Sequence, residues 1–197
     1  MKNEMTTKNK ILIAIALIAL AVITRFMPHL WNFTALTAVA LFAGNYLGPR
    51  YVVGVVFLTM LISDLFIGFY DWKLMATVYG SFALVGFIPS LIGKVGSARK
   101  QKTKLLQNSS KVLGMSLLGS VIFFLVTNWA VWFFGTMYPA SFSGLVSSYA
   151  AGLPFFRNAV LGNLWYTGVF FGVYEYSLYL KVKLASSEKF SKKFARN

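Results

Sequence analysis

The chain has 197 residues, of which 57% are hydrophobic, 17% aromatic and only 12% charged, with a mean hydropathy of +0.66. Soluble domains carry roughly 25% charged residues, so a soluble globular fold is excluded, and at about 20 apolar residues per membrane-spanning helix the apolar share suffices for about six spans and no separate soluble domain. The absence of cysteine rules out disulfides and thiolate metal sites, the single histidine rules out a multi-histidine metal site, and the chain holds neither a phosphate-binding loop nor a dinucleotide-binding glycine motif.

Residues 1–10 are polar and basic, with Lys2, Lys8 and Lys10, and an apolar run from Ile11 to about Met27 follows. A basic start, an apolar stretch and Ala19-Leu20-Ala21 have the order of a cleavable signal. The run continues past that triplet and further apolar segments follow, so it is read as a retained first span. Pro28 to Asn32 forms a turn, Phe33–Leu47 a second span closed by Gly48-Pro49-Arg50, Tyr51–Tyr70 a third and Leu74–Gly93 a fourth. Lys94–Lys111 is a hydrophilic loop with six basic residues and no acid. Val112 to about Gly135 is the fifth span and Ala159–Leu180 the sixth; between them Thr136–Asn158, broken by Pro139, Gly144, Gly152 and Pro154, reads as an interfacial loop or short helix. Residues 181–197 form a basic tail expected to fray in water.

The expected fold is therefore all-α: one polytopic membrane domain over residues 11–180 with six transmembrane helices. With six alternating spans, sixteen of the 19 basic residues fall on one side and Arg25, Lys73 and Arg157 on the other. The excess of Lys and Arg assigns both termini and the 94–111 loop to the cytoplasm. The same charges are the whole of the case for nucleic acid, which is set aside.

Polar groups inside a span cost a few kcal/mol each and point to a function or a partner. Asp64 sits about two-thirds along the third span, in its outer half, either paired with an inward-turned basic residue or serving as a ligand- or ion-binding carboxylate. Arg25, His29, Asn32, Asn128, Arg157, Asn158 and Asn163 are expected on the same outer side, together with all five tryptophans: Trp31, Trp72, Trp129, Trp132 and Trp165. An interfacial aromatic belt accounts for Trp72 and Trp31. Trp129 and Trp132 share a helix face beside Asn128, where belt and pocket wall are both open. His29, next to Pro28, reads as a solvated turn residue. Glu175, near the inner end of the sixth span, reads as a structural partner of Lys181 or another base. No catalytic triad or acid–base pair of carboxylates can be assembled, so no enzyme activity is expected. Ala40, Gly44 and Gly48 recur every four positions, as do Gly168 and Gly172, and Ala14, Ala16, Ala19 and Ala21 smooth the first span. Such faces pack closely, within the protein or against another membrane subunit.

Asn32-Phe33-Thr34, Ser63-Asp64-Leu65-Phe66-Ile67-Gly68, Met137-Tyr138-Pro139 and Pro154-Phe155-Phe156-Arg157-Asn158, with Ala40 to Gly44 and Thr127-Asn128, resemble the signatures of a family of small bacterial inner-membrane proteins. The likeness runs over roughly Arg25 to Gly172; the Asn-Phe-Thr triplet of that family is usually followed by proline, and here by Ala35. In size, six-span layout and outward polar cluster the family is similar to the substrate-binding S components of energy-coupling factor (ECF) transporters. The resemblance implies a bacterial plasma-membrane protein that binds a vitamin or related micronutrient from outside, without a cofactor. It would work with a separate coupling subunit and two ATPases. On this view Asn32, Asp64, Asn128, Arg157 and Asn163 hold the ligand, Trp129 and Trp132 wall it, and Ala14, Ala19, Ala40, Gly44 and Gly48 dock the partner. The alternatives are a scaffold or assembly protein whose basic loop and tail recruit acidic partners or lipid, and an enzyme on lipid-linked substrates.

Overall fold

A computed structural model describes residues 5–27, 32–95 and 102–194, apart from the side chains of 102–108, 181, 182 and 185–194. The expectations for His29, Trp31 and the basic residues of 96–101 fall outside it. The chain is all-helical, with no strand among the described residues: α1 (Thr7–Phe26), α2 (Leu36–Phe42) continued by a π-helical turn (Ala43–Leu47), α3 (Pro49–Ile67), α4 (Trp72–Ile92), α5 (Lys102–Phe134) and α6 (Phe142–Phe194).

Local chemistry sets the boundaries. Thr6 caps α1 by accepting the Asn9 N–H. The Asp71 carboxylate accepts the N–H groups of Lys73 and Leu74 at 2.9 and 3.1 Å and so starts α4 one tight turn after α3. Gly48, at φ +106°, takes the left-handed backbone that ends the π turn, and Pro49 opens α3 at the first helical position, where its missing N–H costs nothing.

Four helices are long and apolar enough to cross a membrane: α1, α3, α4 and the Ser109–Phe134 part of α5, among the described residues. The second expected span is different. Leu36–Leu47 is a shorter apolar helix, about 18 Å at 1.5 Å per residue, well short of a hydrocarbon core of about 30 Å. It lies at the centre, touching α1, α3, α4, α5 and α6, which follow one another round it in the order α1, α3, α4, α5, α6. Every residue of its α-helical part is buried. The surrounding helices turn large apolar side chains outward, among them Leu12, Ile15, Phe57, Leu65, Leu84 and Leu117. In water that surface would aggregate, whereas lipid accommodates it.

The small residues of α2 serve this central position rather than a partner subunit. Ala40 has no exposure, the Gly44 backbone lies directly against the Gly86 carbonyl of α4, and Gly48 is the break after the π turn; none of the three is open to another protein. On α1 the expected docking face is split. Ala14 is buried in the core cluster, while Ala19 is exposed.

Three other boundaries differ from expectation. The 94–111 loop ends at Lys102, where α5 begins, and the tail is helical to Phe194. Most consequential, Thr136–Asn158 is not a loop: α6 starts at Phe142 and runs through Pro154 without interruption. The chain returns on itself within the short Gly135–Ser141 connection, where the Trp132 indole N–H bonds the Pro139 carbonyl at 3.0 Å.

Candidate functional site

Depth along the bundle follows from contacts between helices. At the end that carries the α3–α4 turn, the Lys73 ammonium lies over the Phe134 ring, so the start of α4 and the end of α5 are level. Phe82, midway along α4, stacks on Phe123 with ring centres 4.5 Å apart. Down the α5–α6 hairpin, Ser148 Oγ donates to the Asn128 carbonyl at 2.8 Å, Phe156 packs on Phe124 at 4.7 Å, and Asn163 Nδ2 donates to Ser120 Oγ at 2.7 Å. Starting α6 at Phe142 instead of Ala159 moves its side chains about 25 Å along the bundle. Arg157, beside Phe156, is thus at mid-depth rather than at an outer end. Asn163 and Trp165 lie beyond mid-depth, so the tryptophans do not all share one half.

Asn32 and Asn128 meet. They line a cavity of about 220 Å³ together with Ser120, Thr127 and Gly152, walled by Phe123, Phe124, Val131, Phe155, Phe156 and Ala159. Asn32 stands in the turn before α2 at φ +63°, a conformation that asparagine tolerates better than most residues. Asn128 Nδ2 donates to the Phe124 carbonyl at 2.8 Å, which fixes the amide. Its Oδ1 takes no hydrogen bond from any described residue and sits where a Cβ on Gly152 would fall. Thr127 Oγ1 spends its proton on the Phe123 carbonyl at 2.8 Å and Ser120 Oγ on the Ser116 carbonyl at 3.0 Å. The cavity therefore offers acceptor oxygens between aromatic walls and no ionised side chain.

The remaining expected ligand residues are elsewhere. Asn163 is buried, stands behind the cavity and positions Ser120. Trp129 stacks on Phe133 at 4.8 Å and is exposed, and Trp132 is tied to the connection; neither lines the cavity, because α5 turns them toward the end of the bundle. The wall is made instead by paired phenylalanines, whose signal in the sequence is Phe123-Phe124 facing Phe155-Phe156. Arg157 is exposed and lines nothing.

Asp64 belongs to a separate cluster among α1, α3 and α4. It is 1% exposed, receives Arg25 Nη2 on Oδ1 at 2.7 Å and the Tyr79 hydroxyl on Oδ2 at 2.8 Å, while Arg25 Nη1 rests on the Met60 sulfur. Both carboxylate oxygens are engaged, which is the paired alternative of the two considered for this residue. Glu175 accepts the Tyr46 hydroxyl at 2.6 Å, its other oxygen buried without a partner. Asn45 closes that end by accepting the Val95 N–H at 2.7 Å.

No curated protein and no solved structure matches the chain. The profile of a family of unknown function, DUF6580, matches residues 5–186; the chain belongs to that family.

Proposed function

We propose that this protein is a membrane-embedded binding subunit that takes a small, uncharged, ring-bearing compound of the vitamin or micronutrient class into the α5–α6 cavity. The observation that carries the proposal is the cavity itself: Asn32, Asn128 and Thr127 set among four phenylalanines with no charged group. Few polar groups converging in an aromatic pocket is the usual make-up of a small-molecule site, and 220 Å³ is below the roughly 300–1,000 Å³ of drug-sized pockets. The oxygens left free are acceptors, so the ligand presents an N–H or O–H. Binding from outside follows from the positive-inside assignment, in a six-crossing layout with both termini in the cytoplasm. Uptake would draw its energy from separate ATPases, as in the ECF S components that the sequence resembles, since the chain has no nucleotide motif of its own.

The test is ligand-induced thermal stabilisation, and native mass spectrometry, of the purified protein against a panel of vitamins and related metabolites with no ATP present. One or more neutral ring compounds should raise the unfolding temperature of the wild type. Asn128→Ala should weaken that binding about 2- to 12-fold, the worth of one neutral hydrogen bond. Gly152→Ala should abolish it while folding is retained, because the new methyl displaces only the Asn128 side chain. If a folded wild-type protein answers to no compound in the panel, the scaffold reading gains, in which Asn128 is an internal packing residue as Asp64 is by its two bonds.

A further inference from the structure

An arginine facing outward at the middle of a membrane protein needs an anion. Arg157 is exposed on α6, next to Phe156, which packs on Phe124 one residue from the Phe82–Phe123 stack at the centre of α4. The guanidinium therefore leaves the bundle near mid-depth, where the headgroup phosphates are about 15 Å away, beyond the reach of one extended arginine stem. Within the protein nothing answers it. Among the acids whose side chains are described, Asp64 is held by Arg25 and Tyr79, Asp71 caps α4 in a turn at the end of the bundle, and Glu175 accepts from Tyr46.

The surface below Arg157 is shaped for a helix. Leu161, Trp165, Gly168, Gly172 and Tyr176 are all exposed, and at 100° per residue they fall with Arg157 in one stripe about 100° wide. A Cβ built on Gly168 or Gly172 meets nothing within 4 Å, so the outward face of α6 is open there to close backbone approach. On the opposite face Asn163 and Thr167 are turned to Ser120 and Ser116 of α5. A second copy of this chain does not fit: a two-fold contact on this stripe would set Arg157 against Arg157 with no free carboxylate in reach.

We infer that the Arg157–Gly168–Gly172 stripe of α6 is the docking surface for a transmembrane helix of a different protein, one that carries an Asp or Glu near its middle. The partner's carboxylate pairs with Arg157 out of water, and its small residues lie over the two glycines. This surface is independent of the cavity and stands or falls without it.

The test is site-specific photocross-linking in the native membrane with the full chain, the cross-linking residue replacing Leu161. Wild-type Arg157 and Arg157→Lys should give an adduct with an integral membrane protein whose cross-linked helix contains an Asp or Glu. Arg157→Gln should reduce that adduct about ten-fold or more, the worth of a hydrogen-bonded charge, with the unfolding temperature of the purified chain unchanged. Replacing the partner's acid by its amide should cause the same loss. An adduct that Arg157→Gln leaves intact, one with a second copy of this chain, or one with lipid alone would each overturn the proposal.

Discussion

Asp64→Ala is expected to unfold the protein far more readily than any substitution in the cavity, by about 3–5 kcal/mol. The carboxylate is 1% exposed and Arg25 only 17% exposed, so removing the acid strands a guanidinium against Met60 and the Tyr79 hydroxyl in a setting with little water to replace the lost charge. Arg25→Leu should cost a similar amount for the mirror reason. It leaves a buried carboxylate with one hydroxyl donor. The double substitution Arg25→Leu, Asp64→Leu should recover most of the loss, since an apolar pair of similar volume avoids desolvating either ion. Asp64→Asn should fall between, keeping an acceptor for Tyr79 but not the charge. Unfolding temperatures in detergent, taken through the double-mutant cycle, measure the coupling. A single Asp64→Ala variant within about 0.5 kcal/mol of wild type would mean the pair does not hold α1 to α3.

This cluster was legible in outline, because a carboxylate and an arginine inside apolar runs are costly enough to demand each other. What the sequence does not contain is Tyr79, one of ten tyrosines, or the choice between a pair and a binding site. Hydropathy located α1, α3, α4 and most of α5 for the same reason: long unbroken apolar runs have few other solutions. It failed on α6. Gly144, Gly152 and Pro154 look like loop punctuation, yet each is accommodated in or beside the helix. Gly144 packs on the Pro139 backbone, and Gly152 clears the Asn128 side chain. Proline is tolerated in helices buried among others, where neighbours satisfy the freed carbonyl. That one error of register carried Arg157, Asn163 and Trp165 away from the depth assigned to them. Asn32 and Asn128 escaped it because they sit before α2 and on α5, whose ends were read within a few residues, and they do meet. The phenylalanine walls were not legible, as two Phe-Phe pairs in a chain with 19 phenylalanines carry no signal until α5 and α6 are brought side by side.

The sharpest test of the architecture concerns the glycine that lets α2 reach the centre. A Cβ at Gly44 would occupy the space of the Gly86 carbonyl oxygen, and one at Gly86 would collide with Val52 and come within 3.1 Å of the Ala40 carbonyl. Backbone cannot rotate aside as a side-chain tip does, so a single methyl forces α2 and α4 apart along a contact that also buries Val39, Val85 and Ile88. Gly44→Ala is therefore expected to cost about 2–3 kcal/mol or more, at the upper end of overpacking effects. Gly54 provides the control. It lies in the interior of α3, exposed, with nothing within 4 Å of where an added methyl would sit, so Gly54→Ala should be neutral or stabilise by up to about 1 kcal/mol through helix propensity alone. The two variants differ by the same one methyl group, and their unfolding in the same detergent separates packing from propensity. Equal effects would mean that α2 does not sit against α4 as described. The expected contrast would identify the small residues of α2 as the reason a helix too short to span can be enclosed by longer ones, and would leave the outward glycines of α6 as the small-residue face open to another helix.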